Sequence, residues 1–221
     1  MTCIRHALAA SLLAFSVGTA HAAPPANAIV DRPTPEQLII HWSSPDPVDV
    51  LVADHPDDGP AQARQEVHHD KDGQFALAVA GPARPYFLLR NSRTGEVAHV
   101  AERLIPLEAG SNFRDIGGYP AAGGRHVRWG MIYRSGGTPL LTPRDLAQID
   151  ALHLASMVDL RSDEERVLAP TRIDGVPYTA VGYSFAGLDS TSGMEVTYRN
   201  LPKMMAPQLR QIFARLLRAE Q

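Results

Sequence analysis

From Gln37 to about Leu107, short apolar runs alternate with turn-forming residues. The runs are Leu38–Trp42, Val48–Val52, Gln65–His69, Phe75–Val79, Tyr86–Leu89 and Val97–Leu104. Between them lie Pro45-Asp46-Pro47, Asp57-Asp58-Gly59-Pro60, Asp70-Lys71-Asp72-Gly73, Gly81-Pro82 and Asn91–Gly95. Val48, Val50 and Val52 are separated by other residues, as are Phe75, Leu77 and Val79. Successive strand side chains point to opposite faces, so a period of two marks a strand with one buried face. Gly, Pro and Asp clusters at the joins predict antiparallel turns. The pattern predicts a small all-β sandwich over 37–107, immunoglobulin-like or fibronectin-like. No cluster in it looks catalytic, so it reads as a spacer or binding module whose partner the sequence does not name. Residues 23–36 read as a flexible leader.

Beyond residue 107 the period changes. Gly117-Gly118 and Gly123-Gly124 punctuate two short strands, the second roughly Val127–Tyr133. Thr142-Pro143-Arg144-Asp145 predicts a helix start. Thr142 accepts from free backbone N–H groups, Pro143 suits the first helical position, and Asp145 sits where the helix dipole favours negative charge. Leu146, Ile149 and Leu152 continue one apolar face. Ala155–Leu160 reads as a buried strand. Ser162 with Glu165 forms a capping box for a short helix that must stop near Pro170. Val176–Val181 reads as a strand, Ser184–Gly193 as a flexible loop, and Pro207 onward as an amphipathic helix built on Leu209, Ile212, Phe213, Leu216 and Leu217. Alternating strands and helices predict an α/β unit with a partly parallel sheet.

Composition adds limits. The chain has 221 residues, 44% hydrophobic and 20% charged, with a formal net charge of -3. That balance fits a folded chain and gives no reason to expect nucleic acid as a partner. Arg5 and His6 precede a mostly apolar run from Ala7 to Ala20, and Ala20-His21-Ala22 supplies small residues for cleavage. This is the pattern of a secretory signal peptide over 1–22, so export to a periplasm or the medium is expected. No run is long enough for a membrane-spanning helix. The one cysteine, Cys3, lies in that leader. The nine histidines show no HExxH or clustered Cys/His spacing. The adjacent pair His68-His69 falls on a strand, where neighbours point apart. The pair therefore reads as two surface residues, with metal binding the lesser alternative, and no cofactor is expected.

Four strings then come in a meaningful order. Asn112-Phe113-Arg114-Asp115-Ile116-Gly117-Gly118-Tyr119 resembles the opening motif of the atypical bacterial protein tyrosine phosphatases, a family that also takes phosphoserine and phosphoinositides. Gly124-Arg125-His126-Val127-Arg128-Trp129-Gly130 is similar to its hairpin. Tyr133-Arg134-Ser135-Gly136 is similar to its next strand end. Val158-Asp159-Leu160-Arg161-Ser162, with Glu164 or Glu165 after it, is similar to its Asp-Leu-Arg segment. The resemblance runs from about Leu104 to Gln221 and implies a partial α/β phosphatase domain over 108–221, with an incomplete central sheet.

The resemblance implies hydrolysis of phosphate monoesters through a cysteinyl-phosphate. A thiolate at the start of a helix, cradled by backbone N–H groups and an arginine, does that chemistry. The family writes this loop His-Cys-x-x-Gly-x-x-Arg, and no such string occurs in these 221 residues. No Walker loop or Gly-x-Ser-x-Gly elbow replaces it. By resemblance, Asp159 is a candidate general acid or an orienter of the phosphate loop, with Arg161 beside it. Arg134 and Ser135 are substrate-binding candidates. Asn112, Arg114, Asp115, Gly117 and Gly118 form the structural motif. The chain is thus expected to be a phosphatase-like protein that lacks its nucleophile. A non-catalytic exported module for a phosphorylated protein, a phospholipid headgroup or another protein is the alternative, as is a truncated gene product. The apolar faces of the second half are expected to be poorly covered.

Overall fold

The computed structural model describes residues 24–80, 83–171, 173–182 and 193–218. The leader over 1–22, Cys3, the Gly81-Pro82 turn and most of the Ser184–Gly193 loop lie outside the described residues. The molecule is strand-rich, with several antiparallel sheets and few helices.

Seven strands occupy the first half. They are β1 (Ala26–Thr34), β2 (Gln37–Ser43), β3 (Val48–Ala53), β4 (Arg64–Asp70), β5 (Gln74–Ala78), β6 (Tyr86–Asn91) and β7 (Val97–Ala101). One antiparallel sheet has the order β1-β2-β5, a second β4-β3-β6-β7. Val30, Leu38, Ile40 and Trp42 from the first sheet share one core with Val48, Val50, Val52, Phe87, Leu89 and Val100 from the second. The alternation read from sequence marks the side chains that reach this shared core, but β3 is buried along its whole length, with Leu51 and Ala53 packed with Leu88 in a second cluster on its other face.

The expected leader over 23–36 is corrected, because residues 26–34 form β1. It pairs with β2 and sinks Val30 into the core. Register shifts interrupt the ladder, which hides a clean period of two. Arg32 holds this strand down through a two-pronged, buried ion pair with Glu102, with Nη2 to Oε2 at 2.8 Å.

The second half contains β8 (Arg114–Asp115), β9 (Tyr133–Arg134), β10 (Met157–Asp159) and β11 (Tyr178–Ala180). Helices α1 (Pro143–Asp150), α2 (Asp163–Leu168), α3 (Met194–Met204) and α4 (Ala206–Leu216) accompany them. β8 pairs with β9 antiparallel, and β10 with β11 parallel. Both expected helix starts are present as capping boxes, Thr142 with Asp145 and Ser162 with Glu165. Two expectations change. Of the run Val127–Tyr133 only Tyr133 lies in a named strand, β9, because Gly130 turns with φ 75° to aim its N–H at Asp115. Helix α3 was not read from the sequence, because Pro202 lies inside it and no side chain caps its N-terminus. Among the described residues no helix is long and apolar enough to cross a membrane.

The second core is small. Ile105, Phe113, Ile149 and Ile173 are its buried members. Phe213, Leu216 and Leu217 of the amphipathic stripe are exposed, Leu217 at 78%.

Candidate functional site

Local backbone rules place the Asp-Leu-Arg segment. Asp159 ends β10, and Ser162 three residues later must cap α2, so the chain turns sharply between them. The turn folds Arg161 back on Asp159. Arg161 Nη2 donates to Asp159 Oδ2 at 2.7 Å, and Nε donates to Oδ1 at 3.0 Å. The Arg161 backbone N–H also donates to Oδ1 at 3.0 Å. From the neighbouring strand, the Tyr178 hydroxyl donates to Oδ2 at 2.9 Å. Asp159 is buried, and burial pushes its carboxyl upward. The Arg161 guanidinium, the Arg161 N–H and Tyr178 outweigh that and hold the carboxyl below its ordinary value. A general acid needs the opposite shift. What the geometry shows is Asp159 holding Arg161 in place.

Arg161 is held along one edge. Its Nη1 donates to the Ala169 carbonyl at 2.6 Å. A guanidinium has five N–H donors, so about two remain for an anion. The bond to Asp159 raises its already high pKa, so the charge is permanent. Gly137 lies against it, since a Cβ built there would stand 3.1 Å from Arg161 Nη1. The turn after β9 therefore comes directly to the guanidinium.

That turn follows Arg134 and Ser135, both exposed. The Arg134 side chain has no hydrogen-bond or ion-pair partner among the described residues. It stands directly opposite Arg114 in the β8–β9 ladder. Opposed residues share a face, and like charges placed so are unfavourable unless an anion joins them. Arg114 Nε donates to Asn112 Oδ1 at 2.6 Å, and Asn112 adopts φ 56° to present it. Ser135 Oγ donates to the Gly136 carbonyl at 2.9 Å.

Asp115, Gly117 and Gly118 serve another purpose. Asp115 is fully buried and accepts from Gly117 N–H at 2.7 Å, Gly130 N–H at 2.8 Å and Arg84 Nη2 at 2.7 Å. Arg84 also donates to the Glu102 carbonyl, so one guanidinium ties the two halves. Trp129 lies across Gly117 and Gly118, where a Cβ would sit 2.5 Å from its atoms. Its indole joins the first core and donates to the His99 carbonyl at 3.0 Å. Arg103 stacks over Trp129 and Tyr119 while donating to the Asp115 and Gly117 carbonyls. The opening motif is a structural joint. Its neighbouring cavity of about 570 Å³, lined by Arg84, Tyr86 and Tyr133 among others, does not include Asp159 or Arg161.

Sequence reasoning missed Tyr178, Gly137 and Arg84. A tyrosine in a short strand and a lone arginine before Pro85 carry no local signal of a contact far along the chain.

His68 and His69 correct a second expectation. They do not point apart, for their rings stack with centroids 5.4 Å apart. His69 has φ 54°, and the β3–β4 ladder shifts register there, so both imidazoles come to one side beside Asp49.

Comparison with known proteins bears on the second half. The family model described as "Tyrosine phosphatase family" matches residues 105–221, just over half of the chain. A 56-residue stretch is 48% identical to a protein of Cupriavidus necator named "Putative tyrosine-protein phosphatase". That stretch is 25% of this chain and 20% of the relative, so the match spans about a fifth of the relative's length.

Proposed function

The chain belongs to the tyrosine phosphatase family, and from that premise we propose that its second half presents a binding wall for phosphate monoesters. Family membership supports phosphatase chemistry. In this reading Arg161 and Arg134 meet the phosphate, and Asp159 and Tyr178 position Arg161. The observation that carries it is the clamp on Arg161, which fixes one edge of the guanidinium on a carboxylate. A fixed arginine fork matches phosphate oxygens with little ordering cost.

The 221 residues bind this group without hydrolysing it. A cysteinyl-phosphate needs a thiolate beside the phosphate, and the one cysteine is Cys3, in the stretch that reads as a cleaved leader. The first half acts as an immunoglobulin-like or fibronectin-like β-sandwich, about 37–107 with β1 added, preceding an α/β phosphatase unit. Export brings both to a periplasm or the medium, where phosphorylated protein is the favoured ligand and a phospholipid headgroup the other source of the same chemistry.

The test pairs binding with turnover. Phosphotyrosine, inositol phosphate and unphosphorylated tyrosine are titrated into the chain, and a fluorogenic aryl phosphate is used for rate. Expected are saturable binding of a phosphate monoester, none of tyrosine, and no rate above buffer. A chain blind to every phosphate overturns the binding wall. Hydrolysis that persists in Cys3→Ser overturns the absence of turnover.

A further inference from the structure

We propose that Asp49, His68 and His69 form a binding site for a divalent transition-metal cation, on the β-rich half and independent of the phosphate reading. The donors are of the right kind. Imidazole nitrogen and carboxylate oxygen suit zinc and its neighbours, and two histidines with one carboxylate leave positions open for water. The ligand atoms of the three side chains already lie within 4.8 Å of one another. His68 Nδ1 stands 3.2 Å from Asp49 Oδ1. Two ligands about 2.1 Å from one metal are separated by roughly 3.0–3.4 Å in octahedral or tetrahedral geometry, so that edge is preformed.

The backbone spends strain to make this set. Consecutive strand residues ordinarily face opposite ways. Here the register shift between Val48 and Val50 and the left-handed φ of 54° at His69 bring both rings to one side. Left-handed backbone is unfavourable for a residue with a Cβ. Both histidines are exposed, so core packing does not explain the arrangement, and a bulge that re-aims side chains is a recurrent device at sites.

The carboxylate is anchored from behind. Arg90 donates to Asp49 Oδ2 at 2.8 and 3.0 Å, while Ser92 Oγ and the His69 N–H hold Oδ1 at 2.8 and 3.0 Å. These bonds fix the ligand's orientation as a supporting shell does around a metal. The metal sits between His68 Nδ1 and Asp49 Oδ1. The exposed His69 ring supplies the third ligand atom, within 4.8 Å of the other two.

Zinc chloride titrated into the metal-stripped full chain tests the site, with cobalt(II) as a spectroscopic probe. Expected are one zinc per chain and a visible cobalt band of nitrogen–oxygen coordination. His68→Ala and His69→Ala should each weaken zinc at least tenfold and remove the band. His41→Ala, an exposed histidine on β2, should change neither. Both substituted histidines are exposed, so the variants should melt like the parent without metal. A chain that takes up no zinc overturns the site. So does uptake that survives both substitutions.

Discussion

The two halves of the chain spend similar amounts of backbone on very different cores. In the first half, two antiparallel sheets close over ten large side chains, and among the described residues Ile29 and Leu104 are its exposed large apolar ones. In the second half four residues form the buried centre, while Leu140, Val167, Leu168, Tyr198, Phe213 and Leu217 are each more than 60% exposed. The second half holds its shape with polar devices instead: two capping boxes, the Asp145 carboxylate under Glu108 and Ala109, and the Asp159 clamp. What the contrast teaches is that family motifs divide by the core they serve. Asp115, Gly117, Gly118 and Trp129 are tied to the first half, while Phe113 of the same motif packs in the second core. The segments at 134–137 and 159–161 are the ones to which the proposed function assigns phosphate binding.

The largest effect should come from the joint. Asp115→Ala leaves Arg84 and two backbone N–H groups without their acceptor, a loss of about 3–5 kcal/mol of stability by chemical denaturation. A change under about 1 kcal/mol would break the claim that the motif is structural.

Acid should act next, on the first half. Burial pushes the Asp49 carboxyl up, but donors from His69, Ser92, Arg90 and His68 hold it at about 2. A depressed folded-state value contributes stability above the unfolded value near 3.9, and that contribution is lost as pH falls through the folded one. Denaturation between pH 5 and 2 should show about 2 kcal/mol of loss that is absent in a chain carrying Asp49→Asn.

Tyr178→Phe sharpens the clamp. It removes one donor to Asp159 and should cost about 1 kcal/mol in phosphotyrosine affinity, roughly fivefold, with little change in melting. Smallest is Leu217→Ser on the exposed stripe, expected within about 0.5 kcal/mol of the parent in a melt. A larger loss would mean that the second half hides a core beyond the described one.

Much of this was legible in the sequence because its causes are local. Val48, Val50 and Val52 reach the shared core from one face of their strand, and Thr142 and Ser162 cap helices they announce three residues ahead. The failures are non-local. β1 is a strand because β2 and Glu102 hold it, not because its own pattern is strong. His68 and His69 share a side because of a register shift that no spacing encodes. Tyr178 meets Asp159 only because β10 and β11 lie parallel. Arg134 was chosen by resemblance, and its place opposite Arg114 came from pairing.

The division between joint and site is tested most directly by one paired experiment. Asp115→Asn and Arg134→Ala are compared with the parent in thermal unfolding and in phosphotyrosine binding. Expected is a lower melting temperature for Asp115→Asn, and an unchanged melt with at least tenfold weaker binding for Arg134→Ala. The reverse pattern, a destabilised Arg134→Ala that still binds and a stable Asp115→Asn that does not, would contradict the account.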